Sequence, residues 1–277
     1  LTSTAVPSHA PSRTSSPAPW SGFVTVEDTA LAVTDTGGTG RPVVYLNGCY
    51  ADQKHWRRVI AELGDGYRHI TFDERARGRS ERALDYSFEA TLRDLDAVLT
   101  ARGVDRPILV GWSYGALIAL HWAARNPGRV HAAVAVDGAL PHEWLNDAHR
   151  EQIRTLFRRL SPLFPIAHRL GMAARMSAVQ HAEINIEANE LCAPARLDPV
   201  FDALTVPVRY VLASGGNLGG EAKLMEQIRA NLDPVVERKP NIRVSAKVPS
   251  NHSRILRKDF RAVAASVREL AAAQAGV

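Results

Sequence analysis

The run Pro107-Ile108-Leu109-Val110-Gly111-Trp112-Ser113-Tyr114-Gly115-Ala116-Leu117-Ile118-Ala119-Leu120 decides how this chain is built. Its first four residues read as a buried strand and its last five as a helix, with the pattern G-x-S-x-G between them. A strand that turns into a helix over so few residues bends sharply. The central residue is forced into a strained backbone conformation, and the flanking glycines remove the Cβ atoms that would collide there. Such a corner lifts the Ser113 hydroxyl out of the fold and into a pocket. A serine between glycines is also an ordinary loop pattern; the apolar strand before it and the apolar helix after it favour the nucleophile reading.

On either side the chain repeats the same alternation. Apolar, β-branched runs predict strands at 43–46, 69–72, 107–110 and 130–136, and helical spacing predicts helices at 54–63, 88–102 and 116–126. Ahead of them, 22–27 and 31–35 read as a hairpin, followed by a glycine-rich turn at 36–40. Continuous apolar strands alternating with helices indicate a parallel sheet covered on both faces. The alternation stops near Leu140. From Pro141 to Leu204 the pattern is helical and lacks a convincing strand; it then resumes with strands at 208–213 and 242–248 and helices at 221–232 and 259–273. The expected organisation is a Ser/Thr/Pro-rich disordered leader over 1–21, a first core part over 22–140, a helical cap over 141–205 lying on the sheet edge, and a second core part over 206–277.

Bulk properties exclude several classes. With 277 residues and 45% hydrophobic content the chain can bury one large α/β core. The formal net charge of +5 arises from arginines scattered along the length, so no basic block marks a nucleic-acid-binding tail. Cys49 and Cys192 are far apart and belong to no C-x-x-C or Cys/His ligand pattern, which points to neither a metal site nor a disulfide framework. No stretch approaches the roughly 20 apolar residues of a membrane-spanning helix, and the leader has no apolar centre of a signal peptide. The expectation is a soluble, cytoplasmic protein without nucleic-acid or membrane partners. Because the chain opens on Leu1, a processed N-terminus stays open, as does the oligomeric state.

From about Gly22 onward the chain resembles the α/β-hydrolase superfamily, in particular its serine-nucleophile members with a helical cap. The resemblance rests on Val43-Val44-Tyr45-Leu46-Asn47-Gly48 with Trp56 downstream, on Asp73-Glu74-Arg75-Ala76-Arg77-Gly78-Arg79-Ser80, on the serine corner, on Asn126-Pro127-Gly128-Arg129-Val130 and on Asn251-His252. It implies the α/β-hydrolase fold: a mostly parallel, doubly wound sheet with an inserted helical cap. Asp73 and Arg75 are then expected to organise the loop after their strand.

A serine hydroxyl needs a base within hydrogen-bond reach and a group that orients the base. His252 follows the last predicted strand and precedes the final helix, where the resemblance places the catalytic histidine. The other nine histidines read as surface or satisfied core residues. The orienting acid departs from the commonest pattern, because the loop 214–220 after the cap carries no carboxylate before Glu221. The superfamily's other location for the acid is the end of the preceding strand, where this chain has Asp137, followed by Gly138. Asp137 is therefore the expected acid, with Glu221 and Asn217 as alternatives and an ordinary Asp-Gly turn as the bland reading. The resemblance assigns the oxyanion-hole donors to the backbone N–H groups of Tyr114 and Cys49. Asn47 replaces the usual histidine of that loop, which bears on how the loop is anchored. Tyr50 and Trp112 are read either as pocket walls or as plain packing.

These residues imply a serine hydrolase that cleaves a carboxylic ester, thioester or lactone of a small, apolar substrate through an acyl-enzyme on Ser113, with no metal or organic cofactor. Trp144, Leu156, Phe157, Leu163, Phe164 and Met172 make the predicted cap mostly apolar, which suits such a substrate and equally suits docking of the cap onto the sheet. Epoxide hydrolases and haloalkane dehalogenases of this superfamily use an aspartate nucleophile, against which Ser113 argues. Two alternatives stand beside ester hydrolysis. One is other chemistry on the same triad (C–C hydrolase, perhydrolase, lyase, cyclase or acyltransferase), and the other is a catalytically weak ligand-binding protein.

Overall fold

A computed structural model of the chain describes residues 17–170, 173–215 and 222–273. The strands are β1 (Trp20–Val26), β2 (Thr29–Asp35), β3 (Arg41–Leu46), β4 (Tyr67–Phe72), β5 (Ile108–Trp112), β6 (Ala132–Val136), β7 (Val208–Ala213) and β8 (Ile242–Val248). They form one sheet in the order β1-β2-β4-β3-β5-β6-β7-β8. The β1–β2 hairpin and the β2–β4 pair are antiparallel, and every other neighbouring pair is parallel. Successive crossovers run outward in opposite directions from β3 and β5, so a crevice opens at the carboxyl ends of these strands, the usual ligand position in an open α/β sheet.

The helices are α1 (Arg57–Leu63), α2 (Phe88–Ala101), α3 (Tyr114–Arg125), α4 (Asp147–Leu160), α5 (Phe164–Arg169), α6 (Ala178–Leu191), α7 (Pro194–Ala203), α8 (Ala222–Ala230), α9 (Asp233–Arg238), α10 (Ile255–Lys258) and α11 (Phe260–Ala272). Strand periodicity decides which of them cover which face. On β3, Val43 and Tyr45 point into a core shared with Trp56 and Val59 near α1 and with Val263 and Val267 of α11. Val44 and Leu46 point into the opposite core, with Leu95 and Val98 of α2 and Ile118 of α3. Both faces of the central strands are buried, and this is why their sequences read as unbroken apolar runs.

Helices α4 to α7 fall between β6 and β7, and no strand occurs among the described residues of that segment. Polar caps set its helix starts. Asn146 accepts from His149 N ahead of α4, and Ser177 with Gln180 forms a reciprocal capping box ahead of α6. No helix among the described residues is long and apolar enough to cross a membrane.

Two sequence expectations shift. The expected leader reaches residue 21, yet β1 begins at Trp20, which pairs with Asp35 and lies under the Arg102 guanidinium at 4.3 Å. Pro17 already accepts a hydrogen bond from Gly38 N at 2.8 Å. The helix expected over 54–63 starts as a 3-10 turn, Gln53–Trp56, capped by Asp52, before continuing as α1.

Candidate active site

Between β5 and α3, Ser113 adopts φ 57° and ψ −115°, a conformation that costs an L-residue on the order of 1–3 kcal/mol. The surroundings enforce it. A Cβ on Gly111 would lie 2.1 Å from the Gly115 carbonyl oxygen, and one on Gly115 would lie 2.1 Å from the Leu46 carbonyl oxygen. Both glycines are thus required for β5, α3 and β3 to approach this closely. Tyr114 opens α3, so its N–H is among those a helix leaves without an intrahelical acceptor, at the positive end of the helix dipole.

The end of β6 is bent to match. Asp137 and Ala139 have φ values of 46° and 53°, and a Cβ on the intervening Gly138 would meet the Ser113 carbonyl oxygen at 2.2 Å. Through this contortion β6 presents the Asp137 carboxylate to the loop after β8. His252 Nδ1 lies 2.9 Å from Asp137 Oδ2. The Asp137 side chain is fully enclosed and has two more partners: Ala213 N donates to Oδ1 at 3.0 Å, and Arg229 of α8 donates through Nε to Oδ1 at 2.8 Å and through a terminal nitrogen to Oδ2 at 2.9 Å. Burial pushes this carboxyl up, but the bonds from His252 and Arg229 outweigh it and hold the group below its ordinary value. Trp112 Nε1 donates to the His252 carbonyl oxygen at 3.2 Å and so ties the histidine loop to the end of β5.

The loop after β3 is anchored by Asn47. Its backbone N–H and side-chain Nδ2 donate to the two oxygens of Glu74 at 3.0 and 2.8 Å. Nδ2 also donates to the Phe72 carbonyl at 2.8 Å, and Oδ1 accepts from Trp56 Nε1 at 2.8 Å. Every polar atom of this side chain is used, which answers how the loop is held without a histidine. Desolvation raises the buried Glu74 carboxyl to about 7, against the pull of Arg77 and Asn47. Arg77, itself buried, donates from Nε to the Cys49 carbonyl oxygen at 2.8 Å. Desolvation also pushes the Cys49 thiol above its ordinary value, which disfavours a thiolate there.

Ser113, Tyr114, Cys49, Asp137 and His252 border one cavity of about 480 Å³. Its remaining walls are largely apolar: Leu117, Ala139 and Leu140 from the core, Trp144, Ala188 and Cys192 from the helical insertion, and Leu224, Met225 and Ile228 from α8. Asn185, Asn189 and His142 form a polar corner, with His142 Nε2 3.1 Å from Asn189 Oδ1.

The structure therefore brings together the five residues given chemical roles in the sequence, with Trp144 of the predicted cap beside them. Leu156, Phe157, Leu163 and Phe164 of that cap do not border the cavity, and the two aromatics near the motifs stand elsewhere. Tyr50 turns towards the insertion, donating to the His181 carbonyl at 3.0 Å and packing edge-on to Phe157, and Trp112 packs against Gly48 and His252. Neither borders the cavity itself: Tyr50 is engaged by the insertion, and Trp112 supports His252 from behind. Glu221, Asn217 and Met172 lie outside the described residues. Sequence reasoning missed Arg229, Glu74, Arg77 and most of the cavity wall. For Arg229 one signal was present: it follows Met225 by four residues, which puts a charge beside the apolar stripe of its helix.

Comparison with known proteins fits this architecture. A family model described as the alpha/beta hydrolase fold matches residues 41–186. The haloalkane dehalogenase of Mesorhizobium japonicum is 31% identical over 145 residues, 52% of this chain and 47% of that protein, so the chain spans about half the length of that relative. Among solved structures, the haloalkane dehalogenase DatA from Agrobacterium tumefaciens C58 superposes with a TM-score of 0.69 at 20% identity, covering 91% of this chain and 97% of that one. The esterase EaEST from Exiguobacterium antarcticum gives 0.68 at 18% identity, covering 91% and 99%. At those identities the structural likeness is one of fold. The match over residues 41–186 takes in the β3 loop, the serine corner and the bent end of β6, and on that match the chain belongs to the alpha/beta hydrolase family.

Proposed function

We propose that the protein is a serine hydrolase that cleaves a carboxylic ester, thioester or lactone of a small, mostly apolar substrate. Ser113 Oγ attacks the carbonyl carbon while His252 Nε2 takes the hydroxyl proton; Nδ1–H stays directed at Asp137, which stabilises the imidazolium. The carbonyl oxygen, now negative, is received by the N–H groups of Tyr114 and Cys49. When the tetrahedral species collapses, the bond to the leaving group breaks and the imidazolium proton goes to that group. Water, deprotonated by the same imidazole, then frees the acid from Ser113.

One observation carries this reading: an imidazole with its Nδ1 2.9 Å from an enclosed carboxylate borders the same cavity as a serine held at φ 57°. The cavity, about 480 Å³ and mainly apolar, suits a small acyl or lactone group.

The activity named for the dehalogenase relatives does not transfer. Displacing a halide with a carboxylate leaves an ester that water can open, whereas displacing it with the Ser113 hydroxyl would leave an ether with no carbonyl for water to attack. A panel of p-nitrophenyl esters, an acyl thioester and a γ-lactone tests the proposal. At least one should turn over with kcat/KM on the order of 10⁴ M⁻¹s⁻¹ or more, and Ser113→Ala should abolish it. Folded protein no faster than Ser113→Ala on the whole panel would contradict it.

A further inference from the structure

Asp137 has more partners than orientation of a histidine demands. Its Oδ1 takes Ala213 N–H and Arg229 Nε, and its Oδ2 takes His252 Nδ1 and the second arm of Arg229. Arg229 is itself pinned, since its other terminal nitrogen donates to the Gly215 carbonyl at 2.9 Å. It is 6% exposed and sits on α8, in the turn that supplies Met225 and Ile228 to the cavity wall. A bidentate guanidinium fixes a carboxylate's plane, which a single backbone N–H cannot do. It also places a full positive charge against the same carboxylate that meets the imidazole, in surroundings that screen it poorly.

We propose that Arg229 is a positioning residue of this site. It locks the Asp137 carboxylate in the plane His252 needs, and by offsetting that carboxylate's charge it keeps the site active to lower pH than an Asp–His pair alone would allow. The proposal rests on reading Ser113, His252 and Asp137 as catalytic. Without the Arg229 cation, the full negative charge of Asp137 would face the imidazole. A purely structural arginine would affect stability and leave the plateau kcat of the folded enzyme unchanged.

Other ionisable groups near His252 enter the test. Asp137 faces it from β6 and Arg229 from α8. Cys49 faces the cavity from the β3 loop, Arg254 follows in the same turn, and His55 stacks on Trp112, whose ring lies tilted against His252. His55 already has a partner, since its Nδ1 lies 3.3 Å from Asp52 Oδ1, and that contact raises its pKa.

The experiment compares kcat/KM against pH for wild type, Arg229→Gln, Arg229→Lys and His55→Gln on one p-nitrophenyl ester, with folding checked by circular dichroism. In Arg229→Gln the acid limb should move to higher pH by on the order of one unit, and kcat at its plateau should fall. Arg229→Lys keeps the charge and loses the fork, so its limb should stay with wild type while kcat falls. His55→Gln should keep the wild-type limb. A folded Arg229→Gln with an unmoved limb overturns the proposal. If Arg229→Gln does not fold, an Arg229→Lys limb displaced upward overturns it, and a limb that stays put with reduced kcat supports it. Should wild type turn over none of the esters, thioester or lactone of the panel, the hydrolase reading fails on its own, and the NMR titration of the His252 ring still decides about Arg229: its midpoint rises in Arg229→Gln if the proposal holds and does not move if it fails.

Discussion

In the proposed mechanism, Asp137 joins the stability of the fold to the chemistry of the site. Replacing it by asparagine keeps the shape but removes the charge that His252 and Arg229 share. On the account above, Asp137→Asn lowers kcat about 10⁴-fold, the scale seen when a triad aspartate is changed this way, as steady-state kinetics would measure. It also leaves the buried Arg229 cation without a counter-ion, so chemical denaturation should show a loss of roughly 3–5 kcal/mol. Glu74 gives an independent, pH-dependent expectation. Its folded carboxyl titrates near 7 against a reference of 4.5, so the native state binds more protons than the unfolded chain between those values. Stability from this group is therefore fully present below about 4.5 and declines as pH rises to about 7. Glu74→Gln should flatten that part of a Tm-versus-pH curve; an unchanged slope would show that Glu74 does not cause it. Ser113 and His252 could be located from sequence because each lies beside a local pattern, one a strand-helix corner and the other the loop after the last strand. Arg229 and Glu74 could not, because their roles come from partners 92 and 27 positions away.

The β5–α3 corner stores strain that serves no stabilising purpose. Glycine adopts φ 57° without the Cβ penalty. Ser113→Gly should therefore abolish turnover while stabilising the fold by about 1 kcal/mol, a rise in Tm of a few degrees for a chain of this size. A lower Tm would mean that the corner is not strained. Gly115→Ala tests the opposite side of the same geometry, since its Cβ would sit 2.1 Å from the Leu46 carbonyl. It should destabilise by roughly 1–3 kcal/mol or more and displace the loop that carries Cys49. The elements themselves were legible because their signals are local. β7 and β8 begin and end where the sequence pattern places them, whereas β1 reaches back to Trp20, held by an Arg102 contact that no neighbouring residue announces.

Across the whole molecule, the cavity is assembled from parts that are remote in sequence: the ends of β5 and β6, the β3 loop, the insertion α4–α7, and α8. That is why the sequence pointed to Tyr50 and Trp112, the aromatics nearest the motifs, while the walls are built by Leu117, Leu140, Ala188, Met225 and Ile228. Helix α6, which supplies Asn185, Ala188 and Asn189, distributes apolar and polar residues around its whole circumference, so no apolar stripe marks its cavity side. If this cavity takes the acyl group, Ala188→Trp should cut kcat/KM for hexanoyl and longer p-nitrophenyl esters at least about tenfold relative to acetyl, as expected when one wall of a preformed pocket is filled. The most direct test of the central claim is mass spectrometry of the protein after reaction with a fluorophosphonate. The account predicts one adduct, on the peptide containing Ser113, absent in Ser113→Ala and formed far more slowly in His252→Gln; folded wild-type protein that stays unmodified, or is modified at another residue, would contradict it.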